Sequence, residues 1–342
     1  MMAASDLSQE VERASTVGLS LRERILTSPQ FLLSVVMVGF IIYVSTQSPA
    51  FTDWGTWINI FRNAVFILIV GSFTTFVLVS GGLDLSVGSV FLVGAMSSAA
   101  FLDHGYPIPV AIVLALVCGG LAGLLNGALV NYIRIPAFIA TLGMLYVARG
   151  VMIFVIHGQP IAPLPDAFNA LGQGDLLSIP YLVIYAVVVA IIAHIVLEYT
   201  TFGWSVRAVG GNREAAQNAG INVRRVSLAV YVLSGLSAAL AGILMSARLG
   251  SGQPSVGTGF ELQVISSVII GGTSLFGGIG SVAGSALGAF VLSALTNGLI
   301  LLRVDPVLEN VVIGSIIIVA VALDQFRRGR MFRTIMRRPT NR

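Results

Sequence analysis

Long apolar runs alternate with short polar segments along most of the 342 residues. Most of these runs are near the ~20 residues that cross a bilayer core as a helix. The pattern therefore predicts an all-α, polytopic integral membrane bundle with about ten transmembrane segments. The predicted segments are residues 31–44, 61–79, 85–102, 107–130, 135–156, 180–197, 226–249, 262–270, 282–302 and 307–323. Residues 262–270 are few for a full crossing, and a re-entrant path there requires that the backbone be buried in protein.

Composition agrees with this interpretation. The mean hydropathy is +0.92, 56% of the residues are hydrophobic and only 10% are charged. A soluble protein of this length has too small a core to bury so much apolar surface. The single cysteine, Cys118, excludes a disulfide within the chain and is interpreted as a small packing residue.

Arginine placement predicts the orientation. The chain has no lysine, so all 19 basic residues of the Lys+Arg count are arginines, and they concentrate in loops on one side. The positive-inside rule makes that side cytoplasmic, and the net charge of +4 then reports orientation and not nucleic-acid binding. Both termini are placed there, with a leader (1–30), a segment at 199–225 and a basic tail (325–342), while the loop 157–179 lies outside. The transmembrane domain is predicted at residues 31–324.

The polar segment 199–225 contains a short helix signal. Asn212 suits the N-cap, Glu214 suits the positive end of the helix dipole, and Gly220 suits a left-handed residue after the C-cap. The helix is predicted at residues 213–219, with Ala215, Ala216 and Ala219 on one side. So short a helix is marginal alone in water, which indicates that it docks against a partner. The alternative is a solvated loop between two membrane helices.

Two glycine-bearing turns, at residues 80–90 and 270–282, resemble each other. Both join two apolar segments and both fall on the cytoplasmic side. They form a weak internal repeat of the kind found in transporters, although chance similarity is an alternative. The 38 glycines also suggest helices that approach each other closely.

Few ionisable groups lie at membrane depth. Asp84 is interpreted mainly as a cap of the helix that starts near Leu85, with an ion-coupling role as the alternative. Arg149 is expected to extend toward the outer surface. The polar groups that are candidates to line or gate a path, with helix–helix hydrogen bonding as the simpler role, are Asp84, Ser86, Asn126, Asn131, Thr141, Thr273, Ser274 and Asn297.

Enzyme and metal motifs are lacking. The sequence has no H-E-x-x-H and no G-x-S-x-G, and no second aspartate faces Asp84 within an apolar run. Without lysine the chain has no Walker A phosphate loop. We therefore expect no catalytic residues, no metal site and no cofactor in this chain.

Five stretches carry a family resemblance from about residue 31 to residue 324. They read GGLDLSVGS (81–89), NGALVN (126–131), PAFIATLG (136–143), AVGGNREAA (208–216, followed by Gly220-Ile221) and IGGTSLFGGIG (270–280, with Asn297-Gly298 further on). With these motifs the chain resembles the membrane permease subunits of bacterial ABC importers for monosaccharides, the ribose, xylose and galactose group.

The resemblance implies a homodimer in the bacterial inner membrane. It implies a cytoplasmic ABC ATPase that carries ATP and Mg, and a periplasmic sugar-binding protein. It also implies that the stretch 203–220 is the coupling helix, with these ATPase-coupling residues: Gly203, Arg207, Gly211, Asn212, Arg213, Glu214, Ala215, Ala216 and Gly220. Trp204 departs from the family, which usually has arginine after the glycine.

The function expected from these observations is ATP-driven, binding-protein-dependent import of a monosaccharide or polyol by alternating access. A secondary transporter driven by an ion gradient through Asp84 is one alternative. A membrane scaffold without transport activity is the other.

Overall fold

The computed structural model describes residues 29–305 and, beyond them, Leu308, Val311, Val312, Gly314, Ser315, Ile318, Ala322 and Gln325. Most of the predicted leader, tail and last apolar segment therefore lies outside the described residues. The described helices are α1 (Pro29–Gln47), α2 (Trp54–Val79), α3 (Val87–Asp103), α4 (Ile108–Ala128), α5 (Ala137–Val155), α6 (Asp166–Gln173), α7 (Tyr181–Tyr199), α8 (Thr201–Gly211), α9 (Arg213–Asn218), α10 (Val223–Leu249), α11 (Phe260–Ile270) and α12 (Val282–Leu301).

Short irregular elements join some of these helices. A 3₁₀ turn (Pro49–Thr52) precedes α2, and a π turn (Leu129–Ile133) continues α4. A two-stranded antiparallel hairpin, β1 (Asp175–Leu176) with β2 (Ile179–Pro180), precedes α7. The all-α class expected from the sequence is confirmed for the described residues.

Six helices in the described part of the chain are long and apolar enough to cross a membrane. They are Trp54–Val79, Ile108–Ile133, Ala137–Val155, Tyr181–Tyr199, Val223–Leu249 and Val282–Leu301. Three apolar helices are shorter: Met37–Gln47, which is the described part of α1, then α3 and α11. The number of about ten crossings thus stays a prediction.

Helix α10 forms the centre of the bundle and packs against α2, α3 and α4. Glycines bring it close to its neighbours. A methyl group added to Gly119 of α4 would collide with Ala239 and with the carbonyl of Gly235, and one added to Gly242 would collide with the carbonyl of Phe91. The prediction that small residues allow close helix approach is confirmed at these contacts.

The helices differ in how much of their surface the bundle covers. Most of α2 and α10 is buried, whereas α4, α5 and α7 leave apolar faces exposed. Val117, Leu121 and Leu125 of α4 and Ile192 of α7 are examples. Lipid tails are as apolar as leucine, so such faces suit contact with lipid or with a second membrane helix.

Two clusters of buried side chains mark opposite ends of the bundle. At one end, Val206, Val209 and Ala216 of residues 199–225 pack with Val79 and Val226. At the other end, Leu164 and Phe168 from the loop 157–179 pack with Leu102, Ala111 and Ile243. The two polar segments that the arginine distribution assigned to opposite sides therefore lie at opposite ends.

Helix α11 has 11 residues and is about 16 Å long, roughly half of a bilayer core. The non-helical residues 251–259 precede it. Gly257 packs so closely against Gly88 that a side chain at either residue would collide with the other segment. Gly252 pairs with Ile161 of the loop 157–179 at one end of the bundle, and the Gly278 amide, beyond α11, bonds the Val79 carbonyl at the other end. The irregular residues and α11 therefore pass together from one end of the bundle to the other, and the re-entrant interpretation of this segment is wrong.

Candidate functional site

The short helix predicted in segment 199–225, called the coupling segment below, is present as α9, Arg213–Asn218. The Asn212 side-chain oxygen accepts the Ala215 amide at 2.9 Å, as expected of an N-cap. Gly220 has φ +85°. The Gly220 amide donates to Gln217 O and the Ile221 amide donates to Ala216 O, both at 3.0 Å, which makes a Schellman motif.

The structure corrects the predicted alanine face. Ala216 is buried with the side chains at the end of α2, whereas Ala215 and Ala219 are exposed. The reason is that Ala216 is the residue that the Schellman motif brings against Ile221. The exposed face of α9 therefore carries two alanines beside Arg213 and Glu214.

The family resemblance implied one coupling helix over residues 203–220, and the structure divides this stretch at Asn212 into two helices, α8 and α9. Thr200 is the N-cap of α8 and accepts the Gly203 amide at 3.2 Å, a signal that the end of an apolar run concealed. Trp204 on α8 is 67% exposed. Two other predicted coupling residues contact this chain itself: Gly203 packs on the Leu197 carbonyl, and Arg207 forms an ion pair with Glu198.

The coupling segment and the two glycine turns meet in what we call the glycine junction: Gly81, Gly210, Gly277 and Gly278. A side chain on Gly210 would collide with the Val79 carbonyl. That carbonyl accepts the Gly278 amide at 2.8 Å. Gly81, Gly277 and Gly278 have positive φ of 78°, 85° and 79°, which glycine tolerates. The prediction that both turns lie at the same end is confirmed, and the turns also contact each other.

Asp84 lies in a buried polar network and is only 1% exposed. Its Oδ1 accepts the Ser86 amide at 2.9 Å and the Ser86 hydroxyl at 2.6 Å, and its Oδ2 accepts the Ser234 hydroxyl at 2.8 Å. The Asn126 amide group donates to Ser86 Oγ at 2.8 Å. The network thus joins the first glycine turn to α4 and α10.

The expected cap role of Asp84 is wrong in detail. Helix α3 begins at Val87, and its N-cap is Ser86. Asp84 stands two residues before the cap and bonds the cap residue itself, so it fixes the path of the turn into the helix. The neighbouring Leu83 carbonyl accepts weaker bonds from Tyr231 at 3.3 Å and Thr141 at 3.4 Å.

The other path candidates lie elsewhere. Asn131 donates to Gly127 O and Ser227 Oγ near the start of α10. Thr273 and Ser274 lie in the second glycine turn, where both are buried. Asn297 donates to Ser293 O within its own helix, α12. Of the eight candidates, the structure therefore brings together Asp84, Ser86 and Asn126, with Thr141 beside them.

A pair of charged residues marks a further polar region that the sequence analysis did not assemble. The Arg149 guanidinium donates to Thr258 Oγ1 at 3.0 Å and to Val256 O at 3.4 Å, so it holds the irregular residues 251–259. Glu261, at the start of α11, packs against Gly88 and lies close enough to Arg149 for electrostatic attraction. The sequence did offer one signal for this region, since Glu261 is an acidic residue immediately before a short apolar run.

No grouping of three or more His, Cys, Asp or Glu side chains that could hold a metal occurs in the described part of the chain. The geometry is that of a helical bundle with a docking-type helix, glycine contacts at one end and isolated polar networks inside.

Comparison with known proteins identifies the family. Residues 56–321 match the family model described as branched-chain amino acid transport system, permease component. The chain belongs to this permease family. It is a multi-pass membrane protein and a transport component. No solved protein structure gives a significant match.

Several curated relatives of the permease are sugar permeases by name. The ribose import permease RbsC of Bacillus subtilis is 37% identical over 287 residues, which cover 83% of this chain and 89% of the relative. RbsC of Escherichia coli K12 is 37% identical over 85% of this chain and 92% of the relative. The xylose transport permease XylH of E. coli is 29% identical over 87% and 92% of the two chains.

Proposed function

We propose that this permease is the membrane subunit of an ATP-driven, binding-protein-dependent importer that moves a monosaccharide or polyol into the cell. Two copies form the path in the inner membrane. A separate cytoplasmic ATPase binds ATP and Mg, and a periplasmic protein delivers the sugar. The chain itself works by alternating access and is not an enzyme.

The observation that carries this proposal is the contact between the coupling segment and the glycine junction. Helix α9 presents an exposed, nearly side-chain-free strip at Ala215 and Ala219, where a partner's groove can approach closely. Helix α8 connects α9 directly to the Val79 carbonyl through Gly210. A push on α9 is therefore transmitted to the end of α2 and to both glycine turns.

This geometry suits alternating access. The first turn leads through the Asp84 network into α3, and the second connects α11 with α12. Closure of a partner ATPase would shift these elements together, as rigid helices around turns whose glycines adopt positive φ. The missing lysine supports an external energy source, because this chain cannot form a Walker A loop.

The substrate class rests on the relatives. Two ribose permeases align with the chain over most of both lengths, and a xylose permease aligns as well. The family description names branched-chain amino acids, which makes leucine the informative competitor in uptake assays. The polar groups near Asp84 are hydroxyls and amides, which suit hydroxylated solutes.

The competing function is secondary transport through Asp84, favoured by the burial of this carboxylate. The three hydrogen bonds that it accepts from Ser86 and Ser234 hold the carboxylate in one position, which fits a fixed structural role. Proteoliposomes that contain only this chain separate the two functions: uptake driven by a proton or sodium gradient without an ATPase would support secondary transport.

The coupling role is tested with Ala215→Arg. A large charged side chain on the exposed strip should prevent ATPase recruitment and abolish ATP-dependent uptake. The matched control is Ala170→Arg, on the exposed surface of α6 at the other end of the bundle. It should leave copurification of the ATPase unchanged. Normal recruitment and uptake with Ala215→Arg would contradict the proposed docking surface.

A further inference from the structure

A cavity of about 650 Å³ lies beside the coupling segment. It is bounded by the π turn that ends α4, by helix α9 and by the first turn of α10. Three arginines line it: Arg134, Arg213 and Arg224. Each comes from a different one of these elements or from the residue that follows it, so the fold gathers positive charges from three separate elements.

The lining of this pocket has no carboxylate. Among the residues that the structure describes, the ion pair found is Arg207–Glu198, which is outside the pocket, so none of the three arginines is neutralised there. Like charges repel each other, and an arrangement of this kind is stabilised when an anion binds between them. Arginine suits phosphate in particular, because its planar guanidinium donates two parallel hydrogen bonds.

The pocket is built and not merely a set of surface side chains. Asn131 is 3% exposed, and its Oδ1 accepts the Arg213 guanidinium at 3.3 Å. Its amide nitrogen is held by Gly127 O and Ser227 Oγ, which fixes the amide orientation. One of the three arginines is therefore oriented by a buried polar side chain.

The backbone conformation of Arg134 is a second indication that this pocket is a functional site. Its φ is +64°, in the left-handed region, where a residue other than glycine pays a conformational cost. Strained residues of this kind gather at functional sites. Asparagine tolerates the same conformation, which provides a substitution that removes the charge without adding strain.

The surroundings identify the source of the anion. Tyr132 and Ile133, adjacent to Arg134, are 58% and 65% exposed. An exposed aromatic and aliphatic pair beside basic residues at a helix end is typical of the membrane interface. We propose that this pocket binds the phosphate of an anionic phospholipid headgroup from the cytoplasmic leaflet, with Tyr132 and Ile133 in contact with the acyl region. Basic pockets between helices on this side of a membrane bind such headgroups.

The test uses the full-length protein in neutral detergent, with bound lipid counted by native mass spectrometry during titration with phosphatidylglycerol. Phosphatidylcholine, which has a phosphate but no net charge, and inorganic phosphate are titrated in parallel. Arg134→Asn and Arg224→Gln should each weaken phosphatidylglycerol binding about fivefold, the factor expected for one basic residue near an anionic lipid surface. The control Arg225→Gln removes the same charge one residue away, outside the pocket lining, and should leave binding nearly unchanged.

The outcomes separate the sources of the anion. Preference for phosphatidylglycerol that is lost in the double variant Arg134→Asn/Arg224→Gln and kept in Arg225→Gln would establish the site. Equal binding in the double variant and the unmodified protein would overturn it, as would saturation by inorganic phosphate with no preference for lipid. If the double variant binds lipid normally but loses the ATPase partner, the arginines receive an acidic protein surface and the lipid assignment is wrong. The single variant Arg134→Asn provides the same comparison if the double variant does not fold.

Discussion

The Gly278 amide donates to the Val79 carbonyl at 2.8 Å, and this bond ties the second glycine turn to the end of α2. The carbonyls of the last turn of a helix have no partner within the helix, so such a bond satisfies an acceptor that would otherwise need water or a cap. Gly210 covers the same carbonyl from the coupling segment. Three segments of the permease therefore converge on one backbone oxygen.

Gly210→Ala should destabilise the permease because the added methyl group would collide with the Val79 carbonyl. Overpacking of this kind costs about 1–3 kcal/mol. Gly211→Ala is the matched control, since nothing lies within 4 Å of the position that its Cβ would occupy. The unfolding temperature of purified Gly210→Ala should be clearly lower than that of the unmodified permease, whereas that of Gly211→Ala should not fall. Equal unfolding temperatures would show that the contact is looser than described.

Ser234→Ala should weaken the Asp84 network, because it removes the donor to one carboxylate oxygen in a buried site. Leaving a buried acceptor unsatisfied costs about 1–3 kcal/mol. Ser237→Ala is the control: Ser237 is equally buried, but its hydroxyl donates only to the Ser234 carbonyl in the same helix, and such a bond adds little helix stability. The difference in unfolding temperature between Ser234→Ala and Ser237→Ala measures how much the Ser234–Asp84 bond stabilises the permease. Equal unfolding temperatures would exclude a stabilising role for this bond.

Asp84→Asn addresses the alternative of ion coupling. The amide oxygen of asparagine can accept from Ser86, while its NH2 group can only donate, to the Ser234 hydroxyl, and the amide cannot gain or lose a proton in the physiological range. We expect reduced stability together with ATP-dependent uptake that persists in the assembled transporter. The measurement is uptake by proteoliposomes with and without an imposed proton gradient. Gradient-driven uptake in the unmodified protein that disappears in Asp84→Asn would favour secondary transport.

Arg149→Gln should loosen the irregular residues 251–259, because the guanidinium is bonded to Thr258 and Val256. We expect uptake to fall several-fold while ATPase copurification stays normal, since Arg149 is distant along the bundle from the coupling segment. Adding Glu261→Gln to Arg149→Gln should lower uptake little further if the two charges act together. If the losses of uptake from the two substitutions add, Arg149 and Glu261 act separately.

Much of the bundle could be predicted from the sequence because apolar length and glycine content are local signals. Asn212 and Gly220 fixed both ends of α9 to within one residue, since capping depends on a few neighbouring side chains. The pairing of the two glycine turns at one end also followed from the number of intervening crossings.

Contacts between distant segments could not be predicted in the same way. The sequence did not show that Ala216 turns inward, that Ser234 reaches Asp84, or that Arg149 reaches Thr258, because each depends on how separate helices are rotated against each other. The start of α8 at Thr201 was not predicted, since it directly follows the end of an apolar run. Glu261 was missed because a single acidic residue before an apolar segment normally reads as an interfacial charge.

The most direct measurement of the central claim is uptake of radiolabelled ribose by proteoliposomes that hold the permease, its copurifying ATPase and the sugar-binding protein. We predict uptake that requires ATP and all three proteins and is not competed by leucine. Ala215→Arg should abolish both uptake and ATPase copurification, whereas Ala170→Arg should keep ATPase copurification. Accumulation of sugar by the permease alone under an ion gradient, or ATP-driven uptake that is indifferent to Ala215→Arg, would contradict the central claim.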